Sequence, residues 1–93
     1  MAVTITIPTA LRQYAAGNAT VSLDADNVGA LLRGLVEQHP VLGKHLFGDD
    51  GRLRSFVNVY VGDEDIRYLQ GETTPLKDGE TVSIIPAIAG GKQ

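Results

Sequence analysis

Cysteine and tryptophan are absent from this 93-residue chain, methionine occurs once, and aromatic residues make up only 5% of it. Without a thiol the side chains can form no disulfide, and they offer neither a thiolate metal ligand nor a cysteine nucleophile. No apolar run approaches the roughly 20 residues of a membrane span. The N-terminal sequence MAVTI also lacks the basic start and long apolar stretch of a signal peptide. We therefore expect a cytoplasmic protein that uses no membrane anchor.

An excess of basic charge is also missing. The formal net charge is -3, and the eight lysines and arginines are scattered along the chain, so we expect no nucleic-acid partner. His39 and His45 have no third ligand at a zinc spacing, so we expect no metal site. Asp63, Glu64 and Asp65 are interpreted as solvated charges beside a hairpin. No phosphate-binding loop or Ser/His/Asp set is present, so we expect no free-standing enzyme.

Two kinds of periodicity predict the secondary structure. Alternation of apolar and polar residues predicts strands over residues 3–7, 20–23, 56–61, 66–69 and 81–85. The spacing of apolar residues from Val28 to Val36 predicts one main helix, with capping side chains in residues 24–27 and a stop at Pro40. Residues 43–54 are predicted to be a loop with one short helical turn.

The order strand, strand, helix, strand, strand, strand predicts an α+β domain. A mixed sheet of about five strands with one main helix on one face fits the β-grasp, or ubiquitin-like, fold. We assign residues 1–86 to this domain and residues 87–93 to a flexible C-terminal tail, because Pro86 ends the last predicted strand and the tail has no partner for its backbone.

The C-terminal sequence carries a family resemblance. Leu76, the Asp-Gly-Glu turn at residues 78–80, an apolar strand, Pro86 and the pair Gly90-Gly91 together resemble the ending of MoaD/ThiS sulfur carriers. Within that family, residues 56–67 and 7–12 are most similar to the carriers that serve cysteine biosynthesis. The resemblance covers nearly the whole chain and implies a β-grasp protein that works through its C-terminus.

The resemblance implies the following chemistry and partners. An E1-like enzyme uses ATP to adenylate the Gly91 carboxylate, and a sulfur donor converts the adenylate to a thiocarboxylate. A pyridoxal-phosphate cysteine synthase, or another sulfur-accepting enzyme, consumes the sulfur, and a JAMM-type metalloprotease releases the product. The carrier catalyses nothing and binds no cofactor. The alternatives are the small subunit of molybdopterin synthase and a ubiquitin-like modifier conjugated to lysines.

The residues next to the reacting carboxylate have small side chains or none. Gly90 and Gly91 lack Cβ atoms, so with Ala89 they are expected to thread a narrow channel of the activating enzyme. Lys92 and Gln93 depart from the family pattern, because the reaction requires a free carboxylate at the second glycine. We interpret them as a precursor extension removed by a protease. The competing explanations are residues left over from cloning and a domain that has lost the activity.

A partner-binding patch is predicted on the sheet face away from the helix. In the last strand Val82 and Ile84 share one face, so Ile85 is expected to point outward as an apolar residue. Val59 and Val61 of the neighbouring apolar strand are predicted to extend the patch with Ile85. Burial of these valines in a slightly larger core is the alternative.

Overall fold

The computed structural model describes residues 2–86, whose β-strands form a five-stranded sheet with helices packed on one face. The strands are β1 (Ala2–Thr6), β2 (Thr20–Asp24), β3 (Val57–Val61), β4 (Glu64–Asp65) and β5 (Thr81–Pro86). The α-helices of this part of the chain are α1 (Val28–Gln38) and α2 (Pro40–Leu46). Short 3-10 helices span Thr9–Ala15, Ile66–Tyr68 and Gly71–Thr73.

The C-terminal strand lies in the middle of the sheet. The strand order is β2-β1-β5-β3-β4, with β1 and β5 parallel and the other neighbouring pairs antiparallel. Opposite Ile5 in this register lies Val82, and both side chains are buried on the helical face. This mixed sheet with a helix across one face is the predicted β-grasp fold, and the prediction of fold class is confirmed.

Helix α1 forms as the sequence predicts. The Asn27 side chain caps it, because its Oδ1 accepts a hydrogen bond from the Ala30 amide at 2.8 Å. The apolar positions of the helix face the sheet and are fully buried: Val28, Leu31, Leu32 and Leu35. Complete burial of a leucine contributes roughly 1.5–3 kcal/mol, so this face supplies much of the stability of the domain.

The second helix corrects a prediction. Residues 43–54 were expected to be a loop with one helical turn, but α2 begins at Pro40, which occupies the first helical position where a missing amide hydrogen costs little. Leu42 and Leu46 lie one turn apart and are buried in the core. Gly43 approaches α1 so closely that a Cβ there would lie 2.7 Å from Val36 Cγ1. A glycine that looks like a helix breaker in the sequence therefore serves helix packing.

The strand predicted over residues 66–69 is also wrong. Strand β4 ends at Asp65, and residues Ile66–Tyr68 form a 3-10 helix instead. The cause is local, because the Asp65 side chain accepts a hydrogen bond from the Arg67 amide at 2.9 Å and caps that turn. Strands β1 and β2 pair antiparallel, and their connection contains the 3-10 helix Thr9–Ala15, which the alternation pattern did not reveal.

Candidate functional site

The predicted chemistry lies at the C-terminus, next to the end of strand β5. Pro86 is the last described residue, and it is the cross-strand partner of Val57 in β3. The central position of β5 fixes where the chain leaves the sheet. The predicted thiocarboxylate, threading and processing residues lie outside the described residues: Ala89, Gly90, Gly91, Lys92 and Gln93.

The Asp-Gly-Glu turn before β5 ties the starts of two central strands together. Asp78 Oδ1 accepts a hydrogen bond from the Ala2 amide at 2.9 Å, and the Gly79 amide donates to the Ala2 carbonyl at 2.8 Å. Glu80 closes the turn by accepting from the Lys77 amide at 2.7 Å. Gly79 has φ +85°, a conformation that favours glycine. The turn thereby helps to set the register of the strand that leads to the tail.

The outer face of the sheet, away from α1, is mostly polar. Asn58 and Tyr60 of β3 and Ser83 of β5 share this face, and among them Ile85 is 48% exposed. The predicted patch of Ile85, Val59 and Val61 does not form, because the two valines lie on the helical face. Val59 is only 1% exposed opposite buried Ile84, and Val61 packs against the core. The alternative of burial in a larger core is correct.

A buried carboxylate holds an exposed arginine beside this face. Asp65 is 6% exposed, and it was wrongly interpreted as a solvated charge. Its Oδ2 lies 2.7 Å from Nη2 of Arg67, a side chain that is 64% exposed. The same Nη2 donates to Asn58 Oδ1 at 2.6 Å. Since Asn58 lies opposite Ile85, this Asp65–Arg67–Asn58 cluster adjoins the exposed isoleucine.

The ion pair changes the titration of both partners. Hydrogen bonds from the Arg67 side chain and amide hold the pKa of Asp65 below its ordinary value, although burial opposes this effect. The Asp65 carboxylate in turn raises the pKa of Arg67, mainly through the same side-chain hydrogen bond. Both groups are therefore charged throughout the physiological range.

The lowered pKa of Asp65 predicts how stability depends on pH. A carboxylate whose pKa falls on folding stabilises the protein above its unfolded pKa of about 3.9, and this contribution is lost as the pH drops through the folded value. We expect Asp65→Asn to lower the free energy of unfolding at pH 7, with a difference from wild type that shrinks below about pH 4. Urea unfolding of both proteins between neutral and acidic pH measures this.

Glu64→Gln provides the control for that experiment. It removes one carboxylate from the neighbouring, exposed position, where no hydrogen bond to the side chain is recorded within residues 2–86. The Glu64→Gln protein should follow the wild-type pH profile. A wild-type advantage over Asp65→Asn that stays constant into the acid range would contradict the role assigned to the ion pair.

A depression of about 330 Å³ lies beside Pro86. Leu11, Lys44, Arg54 and exposed Phe56 line it together with His45. The His45 ring stacks on Tyr14 with centroids 4.0 Å apart and an interplanar angle of 20°. Within residues 2–86, no three His, Asp or Glu side chains are grouped so that they could hold a metal ion. The stacking gives His45 a structural role in this region.

Sequence reasoning missed the residues that flank the end of β5. Arg54 lies in a loop as predicted, but the sequence did not indicate that its Nε and Nη2 donate to the Lys44 carbonyl at 3.3 and 3.0 Å. Arg67 was assigned to a strand. The available signal was the Asp-x-Arg spacing of Asp65 and Arg67 at a chain reversal, since an aspartate there commonly caps the amide two residues later.

The chain is similar in sequence to sulfur carriers and to small archaeal modifiers. The chain is 41% identical over 93 residues to the sulfur carrier protein CysO of Mycobacterium tuberculosis, covering 98% of this chain and 100% of the relative. It is 38% identical over 79 residues to small archaeal modifier protein 1 of Haloferax volcanii, covering 82% and 86% of the two chains. No helix within residues 2–86 is long and apolar enough to cross a membrane.

The structural comparison agrees with the sequence comparison. A chain in the crystal structure of the Amycolatopsis orientalis BexX/CysO complex superposes with a TM-score of 0.86 at 37% identity, covering 96% of this chain and 99% of that one. The model of the ThiS family matches residues 5–91, which ends at the second glycine of the Gly90-Gly91 pair. This nearly complete match agrees with a sheet that has β5 at its centre and with the turn that sets the register of β5. The chain therefore belongs to the ThiS family.

Proposed function

We propose that this chain is a cytoplasmic sulfur carrier that bears a thiocarboxylate on Gly91 and donates its sulfur in a biosynthetic pathway such as cysteine synthesis. The observation that carries the proposal is the family match, which extends to Gly91 and stops there. The 41% identity to a sulfur carrier over nearly the whole chain supports it. The chain acts as a substrate and sulfur donor for partner enzymes.

Activation is needed because a carboxylate is a poor electrophile. In the form that ends at Gly91, the α-carboxyl group has a pKa of about 3.3–3.7 and is ionised at neutral pH. In the proposed reaction a Gly91 oxygen attacks the α-phosphorus of ATP on an E1-like enzyme, and pyrophosphate leaves. Sulfide-level sulfur, HS⁻, from the donor then attacks the acyl carbon, and AMP departs with the oxygen, which leaves a thiocarboxylate on Gly91. The thiocarboxylate sulfur attacks the β-carbon of an acceptor such as the aminoacrylate on a pyridoxal-phosphate cysteine synthase and forms a C–S bond. Hydrolysis at the Gly91 carbonyl then releases the product and restores the Gly91 carboxylate.

The domain provides the surface that brings the tail to its partner. Each tail residue fixed in a channel costs about 1–2 kcal/mol of conformational entropy. Contacts of the folded domain with the partner must offset that cost. Because β5 lies in the middle of the sheet, the domain presents sheet surface on both sides of the exit point.

Lys92 and Gln93 require a processing step. Their presence leaves the Gly91 carbonyl in a peptide bond, where it has no free carboxylate to adenylate. We propose that a JAMM-type metalloprotease hydrolyses the Gly91–Lys92 bond and releases Lys-Gln. The form that ends at Gly91 is then the substrate of the activating enzyme.

An intact mass of the protein from its native host tests the proposal. Removal of Lys92 and Gln93 lowers the mass of the full chain by one lysine and one glutamine residue. Replacement of one carboxylate oxygen by sulfur then adds the mass difference between these two atoms. Growth under sulfur limitation should increase this species. A full-length mass that persists under sulfur limitation, together with unchanged sulfur metabolism after deletion of Gly91, would rule out the carrier.

A second candidate function is favoured by two relatives, which are small archaeal modifier proteins. Small archaeal modifier protein 1 is 38% identical over 82% of this chain. As a modifier, this chain would form an isopeptide bond between the Gly91 carbonyl and a lysine amine of another protein. Tryptic peptides in which residues 78–91 of this chain are joined through the Gly91 carbonyl to a lysine of another host protein would support the modifier. A thiocarboxylate without such adducts supports the carrier.

A further inference from the structure

A cleft of about 230 Å³ at the edge of strand β3 combines two arginines with a single carboxylate. Its main lining residues, from both sides of the cleft, are Leu53, Arg54, Val57, Asp65, Ile66 and Arg67. The cleft exists because β4 pairs only with Tyr60 and Val61, which leaves the first half of β3 without a neighbouring strand on that side. We call it the arginine cleft.

The arginine cleft carries a local excess of positive charge in a chain whose net charge is -3. Asp65 neutralises Arg67, and Arg54 is tethered only to a carbonyl, that of Lys44. Within residues 2–86, Nη1 of Arg54 and Nη1 of Arg67 have no hydrogen-bond acceptor. Two guanidinium groups held by their other nitrogens thus keep N–H donors available for a ligand.

The tethers make these donors rigid. Arg67 is fixed by both oxygens of Asp65 and by Asn58, and Arg54 by two hydrogen bonds to one carbonyl oxygen. A free arginine loses up to about 2 kcal/mol of side-chain entropy when it binds, and this loss is largely avoided when the side chain is already held. The buried Asp65 carboxylate fixes the orientation of the mostly exposed Arg67 side chain before a ligand binds.

The position of the cleft relates it to the tail. Val57 lines the cleft and is the cross-strand partner of Pro86, so this wall of the cleft lies about one strand spacing, roughly 4.8 Å, from the point where the chain leaves the sheet. An enzyme that takes up the tail must therefore cover this edge. Exposed Phe56 beside the cleft can exclude water from a contact made there.

We propose that the arginine cleft receives a carboxylate side chain of the enzyme that activates the tail. The proposal rests on the proposed function, because that enzyme is the partner that grips residues beyond Pro86. A carboxylate fits because Nη1 of each arginine offers charge-assisted hydrogen bonds and the excess charge of the cleft is positive. Such a contact steers the carrier onto the enzyme and fixes its orientation.

Binding to the ATP-dependent activating enzyme of the same organism tests this, measured by calorimetry at low and high NaCl with the full chain and with the form ending at Gly91. We expect Arg54→Gln and Arg67→Gln each to weaken binding about 10-fold at low salt. Salt screens exposed charges, so this difference should shrink to less than about threefold at 0.3 M. Arg54→Lys, which keeps the charge, should recover most of the affinity.

Arg33→Gln is the matched control, because Arg33 is an exposed arginine of α1 with no recorded hydrogen bond in the described part of the chain. It should bind within about twofold of wild type. Arg54→Gln leaves the Asp65–Arg67 pair intact, so a loss of binding there cannot come from unfolding of that turn. Thermal unfolding of each variant confirms that it is folded.

Three results would overturn the proposal. The first is that both cleft variants bind like Arg33→Gln, and the second is that their loss of affinity does not depend on salt. The third is that wild type fails to bind both as the full chain and as the form ending at Gly91. The third result also removes the proposed function, whereas the first two leave it standing.

Discussion

Gly90→Val, introduced into the form that ends at Gly91, is expected to lower the rate of activation by at least about 100-fold. Displacing a reacting group by about 1 Å can cost this much, and a branched side chain next to Gly91 would widen the segment that has to enter the catalytic channel. ATP–pyrophosphate exchange with the activating enzyme of the same organism measures the rate. Gly90→Ala should give a smaller loss, because it adds a single methyl group.

Stability provides the control for this prediction. Gly90 lies beyond strand β5, so the free energy of unfolding of Gly90→Val should remain within about 0.5 kcal/mol of wild type. A Gly90→Val protein that is activated at the wild-type rate would show that the width of the tail does not limit the reaction. A protein that loses both activity and stability would show that residue 90 contributes to the fold.

Leu42→Ala is expected to lower the free energy of unfolding by about 2–5 kcal/mol, which is a large part of the roughly 5–15 kcal/mol of a small domain. Leu42 is 0% exposed on helix α2, and its removal leaves a cavity between α2 and the core. Urea unfolding followed by far-UV circular dichroism measures the loss. The prediction tests directly whether α2 belongs to the core, which the sequence did not reveal.

Val41→Ala is the matched control in the same helical turn. Val41 is 50% exposed, so its truncation should cost less than about 0.5 kcal/mol. Similar losses for the two variants would mean that α2 does not pack as described. A small loss for both would mean that the domain is stable without this helix.

The outer face of the sheet offers a partner a different surface from the one that the sequence predicted. Ile85 is its exposed apolar residue in β5, but its neighbours are polar, and Val59 and Val61 lie on the other face. The exposed charge nearby is Arg67, held by Asp65 and Asn58. Among residues 2–86, a partner enzyme that covers this end of the sheet therefore contacts the apolar side chain of Ile85 and fixed hydrogen-bond donors of Arg67.

The sequence by itself determined the elements whose signals are local. The alternation in β1 and the apolar spacing of α1 follow from which side chains must leave water, and Asn27 caps the helix through its own side chain. The order of these elements was sufficient for the β-grasp fold. The Gly90-Gly91 ending led to the family without any knowledge of packing.

Only the tertiary structure decided which face each β3 valine occupies and which charges are paired. The aromatic residues Phe56 and Tyr60 alternate with the valines of β3, so both faces of the strand have apolar character in the sequence, and the buried face is settled by pairing with β5. The Asp65–Arg67 pair is local, but the burial of Asp65 becomes visible only when β4 has paired with β3. Arg54 and Arg67 likewise meet at one cleft only in the folded sheet. The facing of the valines, the burial of Asp65 and the meeting of the two arginines depend on contacts between distant segments, which local periodicity does not encode.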